Sequence, residues 1–206
     1  MKDKSFNPEV SSFSDKCSRN VFSLLKTTGK TSIRKGDFNM EKSGFFNSSG
    51  GDRVYDATDF ATYFGSLVSN GIFYRTADNL KIVMATGMNV TAQAGMAFIN
   101  GYHYENTTPM DLVITTAHGV YPRIDRVVLR WSNIERNIQL AVKTGVAADI
   151  PSAPELTRTS DIYELGIADI SVPKGAVAIT SDYIADTRLN SSLCGLVNSL
   201  VSAVYE

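Results

Sequence analysis

Short apolar and β-branched runs follow one another through the middle of the chain, and this succession constrains the fold more than any other feature. Ile124 to Trp131 and Ile138 to Val142 flank a polar loop, a pattern typical of a β-hairpin. Asn100-Gly101 separates two further runs and tolerates the positive φ angles that a two-residue hairpin turn needs. Similar runs predict further strands at 80–84, 88–92, 112–115, 162–172 and 177–180. About eight strands at short spacing indicate a mainly β fold with flanking helices, either an antiparallel sandwich or a partly open barrel.

The β region is preceded by the clearest helix signal in the first half of the chain. Asp56 or Thr58 provides a side-chain oxygen that can cap the first turn, and Asn70-Gly71 favours a left-handed stop. The residues between them include an apolar stripe at helical spacing, which comprises Phe60, Phe64, Leu67 and Val68. We therefore predict a helix at about 57–69 whose stripe covers the sheet, within a β-rich body spanning residues 45–190.

A second apolar stripe lies near the C-terminal end of the sequence. Its members recur at steps of three and four and are Leu193, Leu196, Val197, Leu200, Val201 and Val204. This spacing, with Ser191 or Ser192 as the cap, predicts an amphipathic helix over 191–206. A helix of this length is marginal alone in water, so it needs a partner surface. Two alternatives remain: the helix packs on its own sheet, or it serves oligomerisation by gathering copies of the chain, as a trimer or else a dimer.

Residues 1–44 differ in charge from the rest of the chain. They carry nine Lys and Arg against five Asp and Glu, a net charge of +4, whereas the remainder has a net charge of −5. We predict a partly extended N-terminal arm that becomes ordered on a partner and anchors the subunit; a simple solvated tail is the alternative. The net charge of −1 for the whole chain gives no reason to expect nucleic acid as a partner.

The two cysteines and the apolar content indicate where such a chain is made. Cys17 and Cys194 have neither a CxxC nor a metal-ligand spacing, so we expect two free thiols in a reducing cytoplasm. No run approaches the roughly 18 apolar residues that a membrane-spanning helix needs. The sequence also starts without the apolar centre of a signal peptide, so we expect neither secretion nor a membrane partner.

Charged residues recur as neighbouring carboxylates and arginines rather than as catalytic sets. The groups are Asp52 with Arg53, Asp125 with Arg123 and Arg126, and Asp186 with Arg188. A nearby arginine favours the ionised carboxylate, so these groups make poor general acids and are predicted to form structural ion pairs. His103 and His118 have no metal-ligand spacing, and no phosphate-binding loop or nucleophile elbow occurs. We therefore expect no enzyme activity, no cofactor and no bound metal.

Aromatic residues with neighbouring amides leave one binding function open. Tyr102, Tyr104 and Trp131 offer flat faces on which a saccharide ring could stack, with Asn100 and Asn106 as hydrogen-bonding partners. Aromatics in alternating strands more often pack in the core or against a neighbouring strand, and this interpretation is favoured.

Five segments together resemble one known family. They are FFNSSGGDRVYDATDFATYFGSLVSNGIF (45–73), AGMAFINGYHYEN (94–106), YPRIDRVVLRW (121–131), LAVKTGVAADIPSAPELTRTSDIYELGIADI (140–170) and ITSDYIADTRLNSSLCG (179–195). In this order and spacing they are similar to structural proteins of tailed phages and prophages of Gram-positive bacteria. The family comprises baseplate or tail-fibre attachment modules, such as upper-baseplate proteins or the N-terminal modules of receptor-binding proteins. The resemblance covers about three quarters of the chain and does not extend to residues 1–44.

The resemblance implies a non-enzymatic virion protein of the tail-tip baseplate, assembled in the cytoplasm of the host bacterium. Its expected role is that of an adaptor that anchors fibres or receptor-binding proteins to the tail hub, with its own copies and other tail proteins as partners. Longer family members continue into a receptor-binding region, which this sequence lacks after the predicted C-terminal helix. The alternative is a small receptor-binding protein that recognises a saccharide of the host cell wall.

Overall fold

The structure is a computed structural model, and it describes residues 43–201. The predicted N-terminal arm therefore lies outside the described residues, apart from positions 43 and 44, and so do Cys17 and Val204. The described chain from Gly44 onward forms one compact unit.

Within residues 43–201 the protein has one α-helix and ten strands. The helix, α1, is Ala57–Leu67, and a short 3-10 turn is formed by Ser181–Tyr183. The strands are β1 (Gly71–Ile72), β2 (Ile82–Met84), β3 (Asn89–Ala92), β4 (Gly95–Ile99), β5 (Tyr102–Asn106), β6 (Met110–Val113), β7 (Arg123–Ser132), β8 (Asn137–Lys143), β9 (Ile162–Val172) and β10 (Ile184–Asp186). The prediction of a mainly β fold is confirmed.

The strands form three antiparallel sheets. The largest has the order β10-β9-β7-β8, the second β2-β3-β6, and the third β1-β4-β5. β10 approaches β2, and β6 approaches β8, so the four-stranded sheet and the β2-β3-β6 sheet come near each other at both edges. No strand pairing joins them there, and the described strands do not close into a barrel.

The hydrophobic core is built around β7 and β9, which pair along their full lengths. Val127 and Leu129 on β7 and Leu165 and Ile167 on β9 are fully buried or nearly so. Fully burying an aliphatic side chain of this size stabilises a fold by about 1.5–3 kcal/mol, so these four are among the main contributions. The other two sheets supply further buried side chains to the same cluster, including Ile82, Val90, Ala97 and Ile99.

Both predicted hairpins are present. β4 and β5 pair in register around Asn100-Gly101, whose φ angles of 50° and 83° are the positive values that the sequence indicated. β7 and β8 pair around the polar loop 133–136. The strand predicted at 177–180 is wrong, because Gly175 at φ 64° turns the chain and residues 176–180 form no ladder. The chain pairs with β9 only later, through β10.

The helix begins where expected but ends earlier, at Leu67. Asp56 accepts hydrogen bonds from the backbone N–H groups of Thr58 (2.9 Å) and Asp59 (3.3 Å), and Asp59 accepts one from the Asp56 N–H (3.0 Å). This reciprocal cap satisfies donors that the first turn leaves free. At the other end Val68 is already extended, because it belongs to a segment that pairs with residues near the C-terminus of the described chain.

The helical stripe does not cover the sheet as predicted. Phe60 and Phe64 remain 46% and 45% exposed, and Ala61 is the buried residue of the helix. The physical reason is a close approach: the β4–β5 turn packs directly on the helix backbone at Ala61, where Gly101 faces it. Only small side chains fit on that side, so the large aromatic ones lie on the outer side.

The amphipathic helix predicted over 191–206 is absent from its described part, residues 191–201. Gly195 adopts φ 82°, which interrupts a helix, and the chain then runs beside β1. The Gly195 carbonyl accepts from the Ile72 N–H (3.0 Å), and the Val197 N–H donates to the Ile72 carbonyl (3.0 Å). Leu193, Leu196 and Val197 are thereby half-buried in their own domain, while Leu200 and Val201 are exposed. The apolar spacing of three and four reflects packing of an irregular segment rather than a helix.

Candidate functional site

Exposed aromatic side chains cover the outer side of α1 and the segment that precedes it. We call this region the aromatic surface; each of its members is 45 to 58% exposed, and they are Phe45, Phe46, Phe60, Tyr63 and Phe64. Exposed rings in such number are unusual, because rings of this size normally lie in cores or interfaces.

The segment before the helix folds back so that its aromatic residues meet those of α1. Phe45 lies at the centre, with its ring centroid 5.4 Å from that of Phe60 and 5.0 Å from that of Tyr63. Its backbone is left-handed, at φ 64°, a conformation that carries a cost for a bulky residue. The Tyr55 hydroxyl holds the loop in place, since it accepts from the Phe46 N–H (2.9 Å) and donates to the Phe46 carbonyl (3.1 Å).

Ring contacts continue from the helix to the small sheet. Tyr63 contacts Phe64, whose centroid lies 6.5 Å from that of Phe98 on β4, and Phe98 in turn contacts Phe73. A ring of this kind contributes about 150–250 Å² when fully covered, so five half-exposed rings present about 350–600 Å². The largest apolar patch of a typical monomer is about 300–600 Å², and a standard interface covers about 800 Å² per partner. The aromatic surface is therefore large enough to be the centre of an interface.

Charged groups border the aromatic surface. The Arg53 guanidinium lies over the Phe46 ring at 5.3 Å from its centroid, and its Nε is 3.9 Å from the Asp52 carboxylate. A hydrogen bond from the Ser49 N–H (2.7 Å) is the main cause that lowers the pKa of Asp52; desolvation opposes it, and the charge of Arg53 adds to the lowering. Asp52 and Arg53 are exposed, and an exposed pair at this distance contributes little to stability. Its place at the edge of the aromatic rings suits a polar interface rim.

Among the other predicted ion-pair residues, Asp125, Arg126 and Arg188 are buried, whereas the Asp186 side chain is 44% exposed. Asp125 is fully buried, and its carboxylate accepts hydrogen bonds from Arg123 Nε (2.9 Å) and from the Gly145 N–H (2.8 Å). Arg126 does not pair with its neighbour Asp125 but reaches across to Asp169 on β9 (2.6 Å), a hydrogen bond that raises the pKa of Arg126.

Arg188 binds Asp186 bidentately and also donates to the carbonyl of Asn79 (2.6 Å), which ties the C-terminal segment to the loop before β2. Burial raises the pKa of Asp186, but the hydrogen bonds from Arg188 outweigh it, so the net pKa is lowered. This carboxylate therefore stays ionised and structural.

The sequence interpretation missed one of the two fully buried acids of the described chain. Glu164, in the middle of β9, is fully buried and accepts from Arg130 (2.7 Å), Lys143 (2.8 Å) and the Thr157 N–H (2.7 Å). Burial alone would raise the pKa of Glu164, yet these hydrogen bonds hold it below its ordinary value. The sequence did contain a signal for this buried acid, because Glu164 is a lone carboxylate within an apolar strand. A carboxylate is buried at such a position only when it is paired with a cationic group.

Two of the three predicted saccharide-contacting residues are brought together. Tyr102 on β5 and Trp131 on β7 have ring centroids 5.9 Å apart, tilted by 35°, and both border an open cleft of about 480 Å³ beside α1. Trp131 is nevertheless a core side chain, 9% exposed, and Tyr102 packs against the same core, as the favoured interpretation of these aromatics predicts. Side chains of Thr58, Thr62, Asn100 and Asn133 also line this cleft. Tyr104 does not line it; it is half-buried against the core, and burial raises its pKa.

The described residues include no group of three or more His, Cys, Asp or Glu placed to hold a metal ion. Cys194 is a free, buried thiol, and burial raises its pKa to about 12. Among the same residues, no helix is both long and apolar enough to cross a membrane.

Comparisons of the chain with protein-family models, with curated proteins and with solved structures found no match. The aromatic surface and the cleft are thus interpreted from their own chemistry.

Proposed function

We propose that this protein is a non-enzymatic virion protein of the tail-tip baseplate of a tailed phage, where it acts as an adaptor that anchors fibres or receptor-binding proteins to the tail hub. The proposal places it in the virion after assembly in the cytoplasm of the host bacterium, without a cofactor. Its phage context is supported by the sequence resemblance over residues 45–195. The observation that carries the docking role is the aromatic surface.

The aromatic surface has the composition of an interface centre. Interface hot spots are enriched in aromatic residues and arginine, and they lie where apolar rings are surrounded by a polar rim. Phe45, Phe60, Tyr63 and Phe64 supply the rings, and Asp52 with Arg53 supplies charges at the border. Covering such rings removes apolar area from water and gives affinity without any reactive group. The partners proposed are other tail proteins and copies of this chain, as a trimer or a dimer.

The interior of the domain supports the same role. The four-stranded sheet and the β2-β3-β6 sheet lie edge to edge at β10–β2 and β6–β8, an arrangement that suits a β-sandwich or partly open barrel. Buried pairs such as Arg126 with Asp169 and Glu164 with Lys143 hold neighbouring segments in one geometry. A body of this kind is a rigid carrier for a docking surface.

The first test is the position of the protein in the particle. Antibody to this chain, with gold label, is applied to phage particles released by the strain that encodes it, both intact and partly disrupted. We expect label confined to the distal tail tip. Label elsewhere on the particle would contradict the baseplate assignment, and absence of label from both preparations would contradict the virion assignment.

The second test isolates the aromatic surface. Particles are assembled with the chain carrying Phe60→Ser and Phe64→Ser, or carrying Val146→Ser and Ile150→Ser. Val146 and Ile150 are 80% and 92% exposed but lie in a different loop, so they match the loss of apolar side chains without touching the rings. We expect the first variant alone to be lost from the tail tip. Equal incorporation of both variants would show that the aromatic surface is not used for docking.

A further inference from the structure

The outer edge of β5 is the one sheet edge of the described chain that no other strand or paired segment accompanies. Residues 195–197 run beside β1 and exchange backbone hydrogen bonds with Ile72. β10 lies near β2, and β6 lies near β8, so each of these four edges has a neighbouring strand. β5 ends the order β1-β4-β5, and within residues 43–201 no strand continues the sheet beyond it. The helix α1 approaches β5 through the preceding turn, where Gly101 packs on Ala61.

The open edge of β5 carries backbone groups that lack a partner in the described chain. The register pairs Glu105 with Met96 on β4. Met96, however, accepts from the Phe73 N–H (3.0 Å) and donates its own N–H to the Asn79 side chain (2.8 Å), so both of its backbone groups point away from β5. Because such groups alternate along an antiparallel ladder, the N–H and C=O of Glu105 and of His103 point away from β4. No hydrogen bond within residues 43–201 reaches them.

β5 lacks the features with which proteins protect an exposed strand edge. Natural edges are blocked by proline, lysine, a bulge or a covering segment. The strand reads Tyr-His-Tyr-Glu-Asn, without proline or lysine, and it pairs with β4 without a bulge. Its two tyrosines favour an extended backbone. An edge of this kind is a template for one further strand.

We propose that the edge of β5 pairs with the same edge of a second copy of this chain. The two strands run antiparallel about a two-fold axis at Tyr104, so that two three-stranded sheets join into one continuous sheet. His103 then lies opposite Glu105 of the partner subunit, and Glu105 lies opposite His103 of the partner subunit. In an antiparallel ladder each such pair exchanges two backbone hydrogen bonds, which uses the outward-pointing groups of both strands.

The side chains of β5 favour a second copy as the occupant of this edge. His103 and Glu105 are both exposed on the outer face of the strand. Side chains directly opposite each other across a strand pair are in contact, and an imidazole N–H can donate to a carboxylate. An axis at Glu105 would instead set two carboxylates against each other, and an axis at His103 would require pairing with Gly101, which packs on Ala61. The register about Tyr104 avoids both conflicts.

The size of the contact sets its strength. Five residues of β5 cover much less than the roughly 800 Å² per partner of a standard interface, so the Kd should be on the order of 10–100 µM. The contact uses backbone groups and two polar side chains, and the aromatic surface takes no part in it. The inference therefore stands independently of the proposed adaptor role.

The first measurement is the mass of the full chain as a function of concentration. Sedimentation velocity is recorded from about 1 µM to about 300 µM, a range that spans the expected Kd. We expect a species of 22.4 kDa at the lowest concentration and a mass approaching twice that value at the highest. A mass that stays at 22.4 kDa throughout, or that levels off at a trimer, would overturn the proposal.

A charge swap then tests the register. His103→Glu sets two carboxylates against each other in each pair and should raise the Kd about tenfold. His118→Glu makes the same change at the other histidine of the chain, which lies in the exposed loop before β7, and should leave the Kd unchanged. His103→Glu combined with Glu105→His restores an imidazole opposite each carboxylate and should recover the Kd of the parent. A double variant that associates no better than His103→Glu, or a His103→Glu variant that associates as well as the parent, would overturn the pairing about Tyr104.

Hydrogen exchange of single backbone amides locates the contact without any substitution. In the monomer the amides of His103 and Glu105 face solvent, whereas that of Tyr104 points to β4. We expect the exchange of His103 and Glu105 to slow about tenfold between the lowest and the highest concentration, while Tyr104 is protected at both. Equal exchange rates of His103 and Glu105 at the two concentrations would place any association elsewhere and overturn the assignment of this edge.

Discussion

Gly101 lies so close to Ala61 that a Cβ atom at position 101 would overlap the Ala61 carbonyl oxygen. The contact joins the β4–β5 turn to α1 and sets the spacing of the cleft walls. It also requires a left-handed backbone at Gly101, with φ 83°. Position 101 therefore requires glycine for two reasons: a Cβ atom has no space beside Ala61, and the left-handed backbone favours glycine.

Gly101→Ala should lower the free energy of unfolding by about 3 kcal/mol, because steric overlap adds to backbone strain. Gly87→Ala is the matched control, since Gly87 has φ 65° but no atom near the added Cβ, and it should cost only about 1 kcal/mol. Urea unfolding followed by Trp131 fluorescence measures both. Equal losses in the two variants would mean that the approach to Ala61 imposes no constraint.

Glu164→Gln should be strongly destabilising although it preserves the shape of the side chain. The substitution leaves Lys143 and Arg130 without their carboxylate partner in a buried place, a loss of about 3 kcal/mol. Glu105→Gln, on the exposed side of β5, is the control and should change stability by less than about 0.5 kcal/mol. Thermal or urea unfolding at neutral pH decides; similar stabilities of the two variants would contradict a structural role for the Glu164 ion pairs.

Stability should fall when the solution is acidified. The folded-state pKa values of Glu164 and Asp186 are lowered, so their contribution is fully present above the ordinary pKa of an unfolded glutamate, about 4.3. It is lost as the pH falls below that value and through the lowered folded-state values. Unfolding free energies measured from pH 7 to pH 3 should thus be nearly level above about pH 5.5 and decline below it. The Glu164→Gln variant should decline less steeply than the parent, and parallel curves would rule out Glu164 as a source of the pH dependence.

Features that depend on neighbouring residues were predictable from the sequence. Asn100-Gly101 specified its hairpin turn, and the β-branched run from Ile162 to Val172 specified β9, because each signal acts over a few residues. The helix cap was predicted as Asp56 or Thr58, and the structure selects Asp56. The aromatic stripe of the helix was also recognised. The periodicity of the stripe predicts which residues share a face of the helix, but it does not predict which face points inward. The face that points inward is the one at Ala61, because Gly101 packs against the helix backbone there.

Features that depend on distant segments were not predictable. Arg126 finds Asp169 on another strand, and Glu164 finds Lys143 across β7, because strand register rather than sequence proximity selects the partner. The cleft likewise combines Thr62 from the helix with Asn133 from the β7–β8 loop. Single-residue chemistry identified Tyr102 and Trp131 as candidates, but only the fold separates them from Tyr104.

The corrected C-terminal segment changes what its substitutions should do. Leu196 is half-buried against the core and forms a bridge with Ile72, so Leu196→Asp should lower the unfolding free energy by about 2–3 kcal/mol through burial of an unpaired charge. Leu200→Asp, at a position that is 38% exposed, should cost less than about 1 kcal/mol. Urea midpoints of the two variants give the comparison. A Leu196→Asp protein as stable as the parent would show that this segment is not part of the domain.

If copies of the chain associate through the aromatic surface, substitutions on the outer face of α1 should weaken that association. Substitutions in the C-terminal segment should leave it unchanged. Phe60→Ser with Phe64→Ser removes apolar area that a partner copy would cover, and at about 1.4 kcal/mol or more per interface it should weaken association at least tenfold. Light scattering over a concentration series should then give a lower mass than for the parent chain. Val146→Ser with Ile150→Ser, which removes exposed apolar side chains from another loop, should keep the parent's mass. An oligomer that persists in the aromatic variant would exclude the aromatic surface as the contact between copies, and would leave it for a different tail protein.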